Sequence, residues 1–198
     1  MDDDERLART LEPQLTLRCK VVLLGDSTVG KTALAQVLQH GVQGFPKNYN
    51  PTFGVELAVK NCKIPETNAT VEMYVVDCGG ASITEDMARP HWENANAFVF
   101  VYDVTNTESF TNLKEWYEKI SSTRMDTAIT GVVLANKIDL IDRPNTVSPE
   151  LGKEFAKKHL LEFFETSTIK AEVEAPFHLL ALAFHTKYED HKPGELKG

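Results

Sequence analysis

Only three cysteines, Cys19, Cys62 and Cys78, occur in the 198 residues. Their number is odd and their spacing is not that of metal ligands, which argues against a disulfide framework and for a reducing, cytoplasmic setting. Long apolar runs are missing as well: none approaches the roughly 18 residues of a membrane-crossing helix. Positive charge is in the minority, 21 Lys and Arg against 29 Asp and Glu, for a net charge of -8. That balance argues against a nucleic-acid partner and against direct adhesion to an anionic membrane. The opening Asp2-Asp3-Asp4-Glu5 lacks the basic character of a signal or transit peptide. No cysteine follows Cys78, so no prenyl anchor is expected. What is present, 42% hydrophobic and 25% charged residues, is the composition of a soluble chain with room for one α/β domain and a substantial core.

The most informative stretch is Gly25-Asp26-Ser27-Thr28-Val29-Gly30-Lys31-Thr32, which reads G-x-x-x-x-G-K-[ST]. The apolar run Val21-Val22-Leu23-Leu24 precedes it, and a helix-forming run opening with Ala33-Leu34-Ala35 follows. This strand–loop–helix context makes the string a phosphate site. Glycines let backbone N–H groups converge on an anion, and the helix beginning near Lys31 aims its free N–H groups at the same point. Lys31 supplies a point charge for β and γ phosphates, and Thr32 a hydroxyl for Mg²⁺.

Around this loop the pattern predicts strands over 17–24, 55–60, 71–77, 97–104, 132–135 and 161–165. Helices are predicted over 31–40 and 107–121, from Ser148-Pro149-Glu150 onward with Ser148 as a cap, and over 175–188. Residues 82–94 read as irregular or weakly helical, and 41–54 as a long functional connection. Strands alternating with helices imply a six-stranded, mostly parallel sheet with helices on both faces. One antiparallel strand comes from the hairpin of 55–60 and 71–77. The expected organisation is a polar leader at 1–16, one α/β domain at 17–190 and a flexible tail at 191–198.

Two further strand ends carry chemistry. Asp77, followed by Cys78-Gly79-Gly80, is a D-x-x-G: the carboxylate can hold Mg²⁺ through its water shell, and Gly80 can offer a bare N–H to a γ-phosphate. Asn136-Lys137-Ile138-Asp139 is an N-K-x-D. The Asp139 carboxylate only accepts, which suits the adjacent N1–H and amine donors of guanine and opposes the N1 acceptor of adenine. The Lys137 stem can cover one face of the base, and Asn136 can tie this loop to the phosphate loop.

These motifs, in this order and spacing, resemble the Ras-like small GTPases, a P-loop NTPase family, over residues 17–190. Val101-Tyr102-Asp103-Val104-Thr105-Asn106 with Glu108-Ser109-Phe110 resembles the Rab branch. Gly30-Lys31-Thr32-Ala33-Leu34-Ala35-Gln36, Phe164-Glu165-Thr166-Ser167 and Glu174-Ala175-Pro176-Phe177-His178-Leu179-Leu180-Ala181 are similar to Rab-like subunits of the intraflagellar transport B complex. The resemblance implies GTP or GDP with Mg²⁺ as cofactors. It implies that Phe45 stacks on guanine, Tyr49 lies over the phosphates, Thr52 binds Mg²⁺ in a first switch, and Ser167-Thr168 form the last guanine loop. The metal set is then Thr32, Thr52 and Asp77. The implied partners are a small β-sandwich subunit forming a heterodimer and coiled-coil subunits of the same complex, in the cytoplasm, at the cilium or flagellum and at its base.

Departures from the family pattern matter for mechanism. Ala81 stands where the family usually places the glutamine that orients the attacking water, so very slow hydrolysis is expected and no catalytic residue is assigned. Ser167-Thr168-Ile169 replaces the usual S-A-K. Val76 replaces a tryptophan that most Rabs use in effector surfaces. Alternatives stay open at several points: Phe45 as a core aromatic, Cys78 as a redox-sensitive thiol or a plain small residue, and the apolar residues of 175–188 as core or as a partner groove. For the whole chain, the alternatives are a cycling vesicle-trafficking GTPase activated by a partner and a nucleotide-independent scaffold.

Overall fold

The computed structural model describes residues 14–48, 50–52, 54–79, 85–123, 128–144 and 146–191, at 85–87 by the backbone alone. In chain order the elements are β1 (Leu15–Leu24), α1 (Lys31–His40), a 3₁₀ turn (Gly41–Gly44), β2 (Val55–Lys63), β3 (Ala69–Cys78), α2 (Glu85–Glu93) and β4 (Ala97–Asp103). Then follow α3 (Thr107–Thr111), α4 (Leu113–Thr123), β5 (Gly131–Asn136), α5 (Pro149–Lys158), β6 (Glu162–Thr166) and α6 (Glu174–His191). The six strands lie in the order β2-β3-β1-β4-β5-β6. Every neighbouring pair is parallel except β2 with β3.

The central strand shows why the sheet is covered on both sides. All seven residues of β4 are buried, and they alternate between two cores as a period-2 strand must. Ala97, Val99 and Val101 enter one core with Leu34, Val37, Phe177 and Leu180 from α1 and α6. Phe98, Phe100 and Tyr102 enter the other with Trp92, Trp116, Ile120 and Ala156 from α2, α4 and α5. Along β1, burial alternates at first and is then continuous over Val21–Leu24, where the strand passes between both helix layers.

Four expectations need correction. Residues 85–93 form a full helix despite Pro90; Ala88 and Trp92 are almost wholly buried, and that tertiary burial outweighs weak local propensity. The helix expected over 107–121 is two segments meeting at Asn112. Bonds from Asn112 N to Glu108 O and from Trp116 N to Asn112 O cross the join, so the backbone ladder carries on through it. Pro149 occupies the first turn of α5, but Ser148 makes no side-chain cap bond. Finally, β1 begins at Leu15 and α6 ends at His191, inside the stretches assigned to leader and tail.

The apolar residues of α6 divide. Phe177 and Leu180 are core, Leu179 and Phe184 pack against it part-buried, and Leu182 is 48% exposed. Among the described residues no helix is long and apolar enough to cross a membrane.

Candidate nucleotide-binding site

The carboxyl ends of β1, β3, β4, β5 and β6 converge on one edge of the sheet, where ligands of open α/β folds bind. The loop from Gly25 to Gly30 leaves β1 there, and its two glycines are required by close approaches. At Gly25 (φ 141°) a Cβ would come within 2.2 Å of the Val101 carbonyl oxygen, and at Gly30 (φ 102°) within 2.4 Å of Asn136 Nδ2. Thr28 also adopts the left-handed region, at φ 67°. Val29 is fully buried, while Ser27 and Thr28 face solvent and Ala33 is half-buried. No side chain caps α1 and no acidic residue lies in its first turn. Its positive end is therefore left for an anion.

Lys31 is 6% exposed and donates to the carbonyls of Gly25 and Asp26, each at 2.7 Å. Burial pushes its ammonium down to about 8, against the opposing pull of the Asp77 carboxylate. A cation held this way, by carbonyls and little else, is poised for a polyphosphate. The Asp26 side chain is bound away from its own loop. Its carboxylate accepts from Asn112 Nδ2 at 2.8 Å and from Trp116 Nε1 at 2.9 Å. Its side chain is committed to α4 and to the join before it, and only its backbone is available to a phosphate. Trp116 in turn meets Trp92 of α2 edge-on, ring centroids 6.4 Å apart.

The predicted metal ligands come together. Asp77 Oδ2 accepts from Thr32 Oγ1 at 2.6 Å and from Thr52 Oγ1 at 3.3 Å, and the two hydroxyls are 2.8 Å apart. Asp77 Oδ1 is buried without a hydrogen-bond partner. Burial raises this carboxyl above its usual range, against hydrogen bonds from the two threonines and the Lys31 charge. A set of hard oxygens around one carboxylate fits Mg²⁺, which takes few protein ligands and completes its shell with water and phosphate. Among the described residues no cluster of three or more His, Cys, Asp or Glu offers another metal site. Beside Asp77, burial pushes the Cys78 thiol up to about 11, so it behaves as a small packed residue rather than a reactive one.

The base loop is tied to the phosphate loop. Fully buried Asn136 donates through Nδ2 to Val29 O at 2.9 Å and accepts from Thr166 Oγ1 at 3.3 Å. Lys137, at φ 65°, donates to Thr28 O at 2.8 Å and to Asp103 Oδ2 at 2.5 Å. Asp139 accepts from Ser167 Oγ at 2.6 Å; Ser167 is fully buried and Thr168 is 5% exposed. Phe45 is 38% exposed, which removes the alternative of a core aromatic. Tyr49, Gly80 and Ala81 lie outside the described residues. Asp103 is the participant that motif reading missed; its place at the end of an apolar strand was the available signal.

The Ras family model matches residues 20–185. The chain belongs to the Ras family. Membership implies a site for GTP and GDP. The chain is 43% identical over 175 residues to the intraflagellar transport protein 27 homolog of Bos taurus, covering 88% of this chain and 94% of that one. To intraflagellar transport protein 27 of Chlamydomonas reinhardtii it is 34% identical over 179 residues, covering 88% of each. Similarity extends at 32% over 153 residues to the human Ras-related protein Rab-30, 77% of this chain and 72% of that one. It is thus a Rab-like member, and two of its departures from the Rab pattern can be located: Val76 is buried and Ile169 is 57% exposed.

Proposed function

We propose that this chain is a guanine-nucleotide-dependent subunit of the intraflagellar transport machinery that binds GTP and GDP with Mg²⁺ and hydrolyses GTP very slowly. The observation that carries the nucleotide reading is the junction of the two loops. Asn136 and Lys137 are bonded to Val29 and Thr28, so Asp139 is held by Ser167 beside a loop built for phosphate.

In this reading the backbone of residues 25–33 and the Lys31 ammonium hold the phosphates, with the N–H of Gly80 and the ring of Tyr49 on the γ side. Thr32, Thr52 and Asp77 hold Mg²⁺, which neutralises phosphate charge. Asp139 reads the guanine edge. Lys137 and Phe45 flank the base, and Ser167 and Thr168 close its pocket. The methyl of Ala81 neither orients a water nor stabilises developing charge. Turnover is then expected at or below the unaided Ras rate, on the order of 10⁻⁴ s⁻¹. The similarity to intraflagellar transport proteins 27 supports a place in that complex, with a small β-sandwich subunit as immediate partner, coiled-coil subunits beyond it, and localisation at the cilium or flagellum and its base through those partners.

Single-turnover hydrolysis by the wild-type chain and by Ala81→Gln tests the chemistry. The expected result is a slow wild type and a variant faster by about tenfold or more. A wild type matching glutamine-bearing relatives would remove the role given to Ala81. Pull-downs from ciliated cells in GTP and in GDP test the assembly. Recovery of transport subunits in one nucleotide state supports it, and their absence in both opposes it.

A further inference from the structure

We infer that Asp103, which lies outside every nucleotide motif, is a positioning residue for the guanine base and acts through Lys137. The inference rests on the guanine reading given above.

Asp103 is the last residue of β4 and is level with Asn136, the last of β5. Its carboxylate is held on both oxygens. Oδ1 accepts from Thr105 N at 2.8 Å and Thr105 Oγ1 at 2.7 Å, and Oδ2 accepts from Lys137 Nζ at 2.5 Å. The backbone behind it is fixed too. Asp103 N donates to Ser109 Oγ at 3.1 Å, and that hydroxyl donates to Asn106 O at 2.7 Å. Asn106 in turn caps α3 through its side chain. The Asp103 side chain is 10% exposed and that of Lys137 29%. Burial alone would raise the Asp103 carboxyl, but the bonds from Lys137 and Thr105 outweigh it and hold it below the usual carboxylate range. It is a fixed anion in a partly desolvated place.

A lysine stem is flexible, and its freedom must be given up to present one apolar face to a base. Lys137 is secured at its tip by two acceptors from different elements, the Thr28 carbonyl on the phosphate loop and the Asp103 carboxylate on β4. The carbonyl alone supplies a neutral acceptor. Both bonds are charge-assisted through the ammonium, and the carboxylate adds the attraction of an opposite charge that the carbonyl lacks. It also occupies the ammonium, so the base meets the methylene stem and recognition of its edge falls to Asp139. Asp103 never needs to touch the nucleotide to do this.

The test is a double-mutant cycle on release of a fluorescent GDP analogue in Mg²⁺, using the full chain as wild type, Asp103→Asn, Lys137→Ala and the pair. The expected result is release accelerated about ten- to hundredfold by Asp103→Asn, the loss of one charge-assisted bond. No further acceleration is expected when Asp103→Asn is added to Lys137→Ala. Thr105→Val, which keeps the carboxylate and removes one bond that orients it, should accelerate release severalfold; it stands in should Asp103→Asn not fold. Full multiplicative effects in the pair would mean that Asp103 acts through general packing and would overturn the inference. So would unchanged release in Asp103→Asn or, where it stands in, in Thr105→Val, while the wild type retains GDP, a result that leaves the guanine reading intact. A wild type that does not retain GDP overturns both.

Discussion

At the base end of the cleft, Asn136, Lys137 and Asp139 each have a protein partner on another element: Val29 and Thr166, Thr28 and Asp103, and Ser167. At the phosphate end, Lys31 rests on carbonyls of its own loop, and Asp77 keeps one buried oxygen without a partner. Both groups are displaced against ionisation by burial, the lysine downward to about 8 and the carboxyl upward. The base end is complete as protein. The phosphate end holds a buried ammonium and a buried carboxylate with one unpartnered oxygen, groups that a polyphosphate and a cation would suit. Substitutions at the two ends should therefore differ in sign as well as in size.

The largest effect is expected at the base end with ligand. Asp139→Ala should weaken GDP by about 10³-fold or more and leave ADP nearly unchanged, since a site built for donors loses its acceptor. Calorimetric titration with both nucleotides measures this, and a parallel loss for both would mean that Asp139 serves the fold rather than the base.

Without nucleotide the two ends should move oppositely. Asn136→Ala removes a fully buried amide that satisfies Val29 O and should cost on the order of 2 kcal/mol. Lys31→Met removes a buried charge and should stabilise the ligand-free protein by a similar order while abolishing tight nucleotide binding. The sign follows from linkage. The Lys31 pKa is lower folded than unfolded, so its destabilising effect is fully present below pH about 8 and fades as pH rises towards about 10.4, the unfolded value. Urea titrations at pH 7 and pH 9.5 read both: the gap between Lys31→Met and wild type should narrow at the higher pH. A destabilised Lys31→Met would break the comparison.

Much of this contrast was legible in the residues. The phosphate loop and the N-K-x-D announce themselves because each is a local string at a strand end, and the seven buried residues of β4 announce the sheet. What the string cannot show is which distant side chain arrives. Asp26 was read only as part of the phosphate loop, and nothing local announces that Asn112 and Trp116, 86 and 90 positions away, bind its carboxylate. Asp103 was read only as part of a Rab-like strand, because its partner Lys137 is 34 positions on. Helix α2 was read as no more than irregular or weakly helical for a related reason: Pro90 weakens its local signal, and the burial of Trp92 that secures it is tertiary.

A smaller effect is expected between the two ends, where Asp26 ties the phosphate loop to α4. Trp116→Phe removes one donor to a carboxylate and leaves an aromatic side chain in place. It should cost about 1–2 kcal/mol, with base selectivity unchanged. Thermal unfolding with and without GDP measures it, and altered selectivity would mean that the ends are coupled through this tie. The smallest effect concerns acid. The Asp103 pKa is lowered in the folded state. Its contribution is therefore present above the ordinary carboxylate pKa of about 3.9 and is lost as pH falls through the folded value. Asp103→Asn should be less stable than wild type at pH 7, and the difference should shrink at pH 3. A difference that does not change with pH would mean that ionisation of Asp103 contributes nothing.

The central claim is that a phosphate-binding loop and a guanine-reading loop, bonded to each other through residues 28–29 and 136–137, form one site. Calorimetric titration of nucleotide-free wild-type protein with GDP and with ADP in Mg²⁺ tests it most directly. The account predicts GDP bound tighter by about 10³-fold or more; affinities within about tenfold of each other would contradict it.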